Sequence, residues 1–297
     1  MAKVGNFEVM IGCDPEFFVK KDGQLISAFG LIEGTKKNPF KVKGGAVQVD
    51  GMALEFNIDP SANPKDFRKN IDKVLEALKK MTPSYEFDFT PVAEFGSEYI
   101  KSQPLEARML GCDPDFNAYT NAPNPVPDAD APFRTASGHV HISWKDTKNT
   151  NWPDEIDPFT PSHIEACNVL VKTLDAYLGI PSLIWDKDTK RRQLYGKAGC
   201  YRPKCYGNGW FGLEYRVLSN AWLNYPFLTD LIYQNTLDAF AEIFKDYDTS
   251  EQLYYGMSAK DIVNSENLED VSAVIARVVK AGKIKSPKYY RELREAA

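Results

Sequence analysis

The sequence predicts an α+β fold, with strands gathered into a sheet and helices laid against it. Three observations predict it. Several short runs alternate apolar and polar residues with the period of a strand, and three longer runs space their apolar residues as helices do. No shift of composition and no linker-like stretch divides the 297 residues. The span 1–297 therefore reads as a single catalytic-sized domain, helical in its C-terminal part from about 226 to 297.

Phe7–Val19 predicts the first strand, with Val9, Ile11, Phe17 and Phe18 as its apolar members. Lys21-Asp22-Gly23-Gln24 carries the Asp-Gly hairpin signal, and Leu25–Phe29 is the returning strand. Val47–Asn57 predicts another strand, and Asn63-Pro64 opens a helix whose Phe67, Ile71, Val74, Leu75 and Leu78 share one side down to Met81. Tyr85–Glu94 alternates as a strand. The four prolines of Asn121–Phe133 mark a loop, Thr135–Trp144 a strand, and Asn149–Pro161 a second polar loop. Ser162–Leu178 is an amphipathic helix closed by Gly179. Ala198–Gly212 reads as an active loop or an irregular hairpin, Leu213–Leu218 as a strand, and Pro226–Phe244 and Ser272–Ala281 as helices.

Composition narrows the function. Hydrophobic residues make up 43% and charged residues 26%, as in a soluble globular protein. A net charge of −5 leaves no broad basic field for nucleic acid. No run approaches a membrane span, and Met1–Gly5 lacks the apolar run of a secretion signal. The five cysteines (Cys13, Cys112, Cys167, Cys200 and Cys205) are odd in number and irregularly spaced, which argues for a reducing, cytoplasmic setting and against a disulfide framework. Cys200 and Cys205 do not have the spacing of a zinc knuckle, and no second pair accompanies them.

Four segments carry the chemistry. Asp14 and Glu16 lie two apart on the first strand and face the same way. Two carboxylates that close repel unless a cation separates them; a solvated strand face is the alternative, and the apolar flanks argue against it. Glu55 stands between Leu54 and Phe56, either as a site acid or on the wet side of a half-exposed strand. His139 and His141 are two of only three histidines, set on one side of a strand. A zinc hydrolase site would need more His or Cys ligands, so an oxygen-rich site for a hard cation suits this acid-rich chain better. Glu214 and Arg216 are a structural ion pair or part of a phosphate site. The upstream cations Lys190, Arg191, Arg192, Lys197, Arg202 and Lys204 favour the second, because guanidinium groups in particular recognise phosphate in a planar, bidentate way.

Other motifs are absent or misleading. Gly207–Gly212 formally matches G-x-G-x-x-G, but no strand clearly precedes it and a strand rather than a helix follows; there is no G-x-x-x-x-G-K-[ST] and no G-x-S-x-G. Gly12–Phe17 (GCDPEF) recurs as Gly111–Phe116 (GCDPDF), either as paired acidic turns at one site or as two unrelated Asp-Pro turns. Proline predicts an edge or a bulge for both copies.

In order along the chain, GCDPEFF (Gly12–Phe18), DGMALEFN (Asp50–Asn57), GCDPDFNAY (Gly111–Tyr119), GHVHIS (Gly138–Ser143) and LEYRVLSN (Leu213–Asn220) resemble the glutamine synthetase and glutamate–cysteine ligase superfamily. Within it they look most like the phage-type carboxylate–amine ligases, the carboxyl–amine ligase type 2 group. The resemblance implies a curved antiparallel sheet with helices on its convex face, and two or three Mg²⁺ or Mn²⁺ ions with ATP on the concave one. It implies metal-ligand roles for Asp14, Glu16, Glu55, Glu214 and His139. Arg216 would be the catalytic arginine that stabilises the transferring phosphoryl group, and His139 a catalytic histidine near the ATP phosphates and a metal. Arg191, Arg192, Arg202 and His141 would be the nucleotide contacts. Asp14 stands where related enzymes often have Glu.

The implied activity is ATP-dependent amide or peptide bond formation through an acyl phosphate. The partners are small-molecule or peptide carboxylates and amines, with nucleic acid only as a modified-base acceptor. A cytoplasmic location follows, in the host if the chain is phage-encoded. Loops Asn121–Phe133 and Ala198–Gly212 are candidate lids. The competing expectations are guanidino kinase chemistry on the same sheet, a metal-dependent hydrolase built on His139 and His141, and a non-catalytic phage protein that keeps the fold.

Overall fold

A single 15-residue strand forms the spine of the molecule and carries strand partners on both sides. The computed structural model describes residues 2–108, 115–125, 131–149, 157–244, 256–267 and 273. Strand β1 (Ala2–Val4) folds back on this spine, β2 (Phe7–Lys21), and β3 (Gln24–Ile26) returns along its far end through the Asp22-Gly23 turn. Strands β4 (Phe40–Val42), β5 (Gly45–Asp50) and β6 (Ala53–Ile58) form a meander, and the short β7 (Glu86–Asp88) also pairs with β2. Strand β8 (Val92–Glu94) leaves the main sheet to pair with β11 (Phe133–Thr135). Between them in sequence come β9 (Phe116–Asn117) and β10 (Ala122–Pro123). Strands β12 (Gly138–Asp146), β13 (Cys200–Cys205) and β14 (Phe211–Tyr215) complete an antiparallel sheet of order β10-β9-β13-β14-β12-β2-β6-β5-β4. The fold is α+β, with one large, open antiparallel sheet.

Alternation along the strands divides that sheet into a core face and a polar face. Val9, Ile11 and Cys13 of β2, Val140 and Ile142 of β12, and Leu213 and Tyr215 of β14 are buried in one cluster with Leu54 and Phe56 of β6. Helix α1 (Pro64–Met81) covers this face with Phe67, Ile71, Val74 and Leu78. It starts where expected, with the Asn63 side chain accepting from the Asp66 amide at 2.9 Å. The short helices α2 (Ser97–Ser102) and α3 (Leu105–Arg108) lie outside this layer. Helix α4 (Pro161–Leu174) packs against β13 and β14. It runs into a π-helical turn (Asp175–Gly179), followed by the short α5 (Ile180–Ser182) and α6 (Arg191–Leu194). Helix α7 (Pro226–Glu242) lies between α1 and α4, and α8 (Ala259–Val263) packs on the π turn. Among the described residues no helix is long and apolar enough to cross a membrane.

Several expectations are corrected. Val47–Asn57 is not one strand but the β5–β6 hairpin: Gly51 takes φ +58°, a left-handed conformation, and reverses the chain. Tyr85–Glu94 is broken into β7 and β8 around Pro91. The strand read as Leu213–Leu218 leaves the ladder after Tyr215. Gly179 does not close its helix. It stays helical at φ −59°, and an added Cβ would lie 3.0 Å from the Tyr215 hydroxyl and from Val263, so close packing explains the residue. Pro15 lies in the central strand β2, but where the ladder on one side lapses: β2 is bridged to Ser61 at Ile11 and pairs with β6 only from Glu16. Strand β13 does precede Gly207–Gly212, whose last two residues already belong to β14, and Asn208 and Gly209 have positive φ, so the motif is a hairpin loop running into a strand. The expected helix Ser272–Ala281 lies almost entirely outside the described residues, as do Gly111–Pro114 and the centres of both polar loops.

Candidate active site

Register places the site residues in rows across the polar face. Arg202 of β13, Glu214 of β14, His141 of β12 and Gly12 of β2 stand opposite one another. One step along, His139 faces Asp14, and beyond that Glu16 faces Glu55, which faces Gln48. Residues directly opposite in an antiparallel ladder project to the same side, so the sheet itself gathers these groups.

The first cluster is rich in both signs of charge. His141 Nε2 lies 3.0 Å from Asp14 Oδ2. His139 Nδ1 lies 3.3 Å from Glu214 Oε1 and 3.6 Å from Asp14 Oδ1. Glu214 also receives Arg216 at close range, Arg202 at 3.4 Å and Lys204 at 3.3 Å. Burial would raise the Glu214 carboxyl, but Arg216 and then the two histidines outweigh it and hold it well below the usual carboxylate range. Asp14 has fewer compensating partners, and burial pushes it up. Burial and the Arg216 charge hold His139 well below its ordinary value. Asp14 outweighs burial at His141 and raises it. The Tyr206 hydroxyl, 2.9 Å from His141 Nδ1, orients that ring.

The second cluster is almost purely acidic. Carboxylate oxygens of Glu16, Asp50 and Glu55 lie within 4.8 Å of one another. Gln48 Nε2 donates to Glu55 at 2.6 Å, and the Ser137 amide donates to Glu16 at 3.0 Å. Those two donors do not neutralise three charges. Burial, then Asp50, pushes Glu16 up to about 7, and burial with Asp14, Asp50 and Glu16 raises Glu55 well above its normal value. The ammonium of Lys36 approaches Asp50 Oδ2 at 2.7 Å.

Two cavities open on this face. The larger, about 720 Å³, is bordered by Met10, Pro60, His141, Lys204, Tyr206 and Trp210. The smaller, about 90 Å³, is bordered by Glu16, Asp50, Arg134, Ser137, Tyr195 and Arg216. Asp14, Lys36, Glu55, Arg202 and Glu214 line both, so the acids form the wall between them.

Of the residues expected at the site, Asp14, Glu16, Glu55, His139, His141, Arg202, Glu214 and Arg216 come together. Arg191 and Arg192 are held behind it and border neither cavity. Arg191 is 0% exposed and donates to Val217 O at 2.8 Å and to Ser137 Oγ at 3.1 Å. Arg192 pairs with Asp186 at 3.6 Å. Sequence reasoning missed Lys36, Gln48 and Tyr206, and it named Asp50 and Lys204 only within the Asp50–Glu55 segment and the upstream cations, without a role at the site. The Asp50-Gly51 turn signal, read as a hairpin, would have turned Gln48 and Asp50 toward Glu55. From the repeated GCDPDF segment the described Asp115 reaches Arg216 Nε at 3.5 Å, which brings one residue of the echo to the site.

The donor set fits a hard divalent cation. Asp14 Oδ1 is buried without a hydrogen-bond partner, and the remaining donors are carboxylate oxygens with one or two imidazoles. Asp14, His141 and Glu214 form one candidate ligand group, and Glu16, Asp50 and Glu55 the other.

Fold and site together define an α+β protein with an acid–imidazole–guanidinium centre on the open face of an antiparallel sheet. No family model and no curated protein matches the chain. Among solved structures, one described as a novel glutamine synthase homolog is similar, with 12% identity and a TM-score of 0.46 over 97% of this chain and 67% of that one. Another, GmaS in its apo form without ligand, is similar with 12% identity and a TM-score of 0.43 over 97% of this chain and 70% of that one.

Proposed function

We propose that the chain is an ATP-dependent carboxylate–amine ligase, which activates a carboxylate as its acyl phosphate and transfers the acyl group to an amine. The observation that carries this reading is the shared wall: acids of both clusters stand between a cavity large enough for a nucleotide and a smaller polar one that the buried Arg216 borders. The order of the GCDPEFF, DGMALEFN, GHVHIS and LEYRVLSN segments supports the same class and, within it, the carboxyl–amine ligase type 2 group.

ATP enters the larger cavity, its triphosphate toward Arg202 and Lys204, and the acceptor carboxylate enters the smaller one beside Arg216. A carboxylate oxygen attacks the γ-phosphorus, the bond to the bridging β-oxygen breaks, and ADP departs. Arg216, fixed by Glu214 and Asp115, offers guanidinium N–H groups to charge that develops on the transferring phosphoryl oxygens. The amine then attacks the acyl carbon, loses a proton and expels phosphate. Mg²⁺ or Mn²⁺ held by the two acid groups would neutralise phosphate charge. The β13–β14 hairpin, carrying Tyr206 and Trp210 beside the larger cavity, is placed to shield the acyl phosphate from water.

The test is an ADP-release screen of amino acids, peptides and amines with Mg·ATP, followed by mass spectrometry of the product. Turnover that needs both an acid and an amine is the expected result. Hydrolysis without ATP by a zinc-loaded protein would instead establish the His139/His141 hydrolase.

A further inference from the structure

Lys36 is the cation most specifically placed on the acidic cluster, and the fold builds its position. Thr35 and Asn38 close a tight turn through reciprocal backbone hydrogen bonds of 3.1 and 3.0 Å, with Lys36 and Lys37 at its tip. The turn is pinned to β5: the Val49 amide donates to Gly34 O at 3.0 Å, and Thr35 bridges Val49 in parallel. Gly34 makes this approach possible, since a Cβ there would lie 2.0 Å from Val47 O. The turn thus hangs over the end of β5, where Asp50 stands, and Lys36 borders both cavities. Partial burial would lower the ammonium, but Asp50, then Glu55 and Glu16, outweigh it and raise it. All three acids of the cluster therefore act on this one lysine. Its side chain remains 50% exposed, so it is free to swing away.

We propose that Lys36 is the resident counter-cation of the Glu16–Asp50–Glu55 cluster, competing directly with a divalent ion for Asp50. This deepens the ligase reading and rests on its assignment of the cluster as a metal site. Without metal, the ammonium occupies an oxygen that the ion needs. When the ion takes Asp50, Lys36 is released at the wall between the cavities, where the phosphate chain of the nucleotide is expected. The lysine thereby makes this site harder to load and links its filling to the presence of an anion that can accept the displaced ammonium. Among the described residues the first cluster has no equivalent: the cations on Glu214 are Arg202 and Lys204 of β13 and Arg216, which directly follows β14.

The experiment is a Mn²⁺ titration of the full chain by calorimetry and electron paramagnetic resonance, without nucleotide. It compares the wild type with Lys36→Met, Lys36→Arg, Asp50→Asn and the double variant. Lys36→Met should tighten Mn²⁺ binding about fivefold, the scale of a half-exposed ion pair, and Lys36→Arg should restore most of the wild-type value. In the Asp50→Asn background the lysine has lost its partner, and Lys36→Met should then change little. Binding that Lys36→Met leaves unchanged or weakens overturns the competition, as does an equal tightening in both backgrounds, which would be a diffuse charge effect. If wild type binds Mn²⁺ and Glu55→Gln binds it equally well, the cluster is no metal site, and the assignment itself falls along with the proposal.

Discussion

The Tyr215 hydroxyl donates to Asp175 Oδ1 at 2.6 Å, through the core face of the sheet, while its neighbours Glu214 and Arg216 serve the opposite face. A fully buried acid in the π-helical turn thus anchors the strand that carries two site residues. Burial pushes Asp175 up to about 7, although Tyr215 and other donors pull it down. Its unfolded value is near 3.8, so between about pH 4 and 7 the native state keeps a proton that the unfolded chain has lost. Stability from this group is therefore full below pH 4 and is lost as pH rises to 7, by on the order of 4 kcal/mol. Urea unfolding at pH 5 and pH 7.5 should show the decline in wild type and a smaller one in Asp175→Asn, the remainder coming from the raised site acids Glu16 and Glu55.

Arg216→Ala should lower ADP release at least a hundredfold, the scale of losing one preorganised donor to transition-state charge. It also takes the nearest cation from Glu214 and an ion-pair partner from Asp115, so the melting temperature should fall. Arg216→Lys separates the two effects: near-normal melting with most activity gone is the expected result, because an ammonium keeps the charge and loses the planar fork.

Glu55→Gln should abolish turnover yet stabilise the metal-free protein, by about 1–2 kcal/mol, since burial and three neighbouring acids oppose the Glu55 charge. Thermal melts in EDTA would check this. A lower melting temperature would mean that the Gln48–Glu55 hydrogen bond outweighs the repulsion.

Tyr206→Phe removes the group that orients His141 through its other ring nitrogen. Mn²⁺ affinity at the Asp14–His141–Glu214 group should weaken about tenfold, measured by the same titration, while the Glu16–Asp50–Glu55 group is unaffected.

Much of the site was readable because strand alternation fixes which side chains share a face: Asp14 with Glu16, His139 with His141, Glu214 with Arg216. The cross-strand partners were not readable, because pairing register is a long-range property. Gln48 reaches Glu55 only through the β5–β6 hairpin, and Lys36 reaches Asp50 only through a turn docked on β5. The Lys190-Arg191-Arg192 run looked like a phosphate site as a string of charges. In the fold, Lys190 meets Glu94, Arg191 backs the Ser137 that holds Glu16, and Arg192 meets Asp186, so two of the three brace the scaffold from inside. Asp175 gave no signal, since a lone Asp in an amphipathic helix reads as solvent-facing.

The length of β2 has a consequence for how this centre can change. Both of its acids owe their direction to parity along one uninterrupted ribbon that is paired to β12 from Phe7 to Pro15. Deleting any one residue between Gly12 and Glu16 would exchange inside for outside on one flank, sending a carboxylate toward Phe67 and Leu54 or a hydrophobic ring toward the ligand. New specificities should therefore arise on this strand by substitution, whereas the Tyr206–Trp210 connection, which no other strand has to follow, should tolerate insertions.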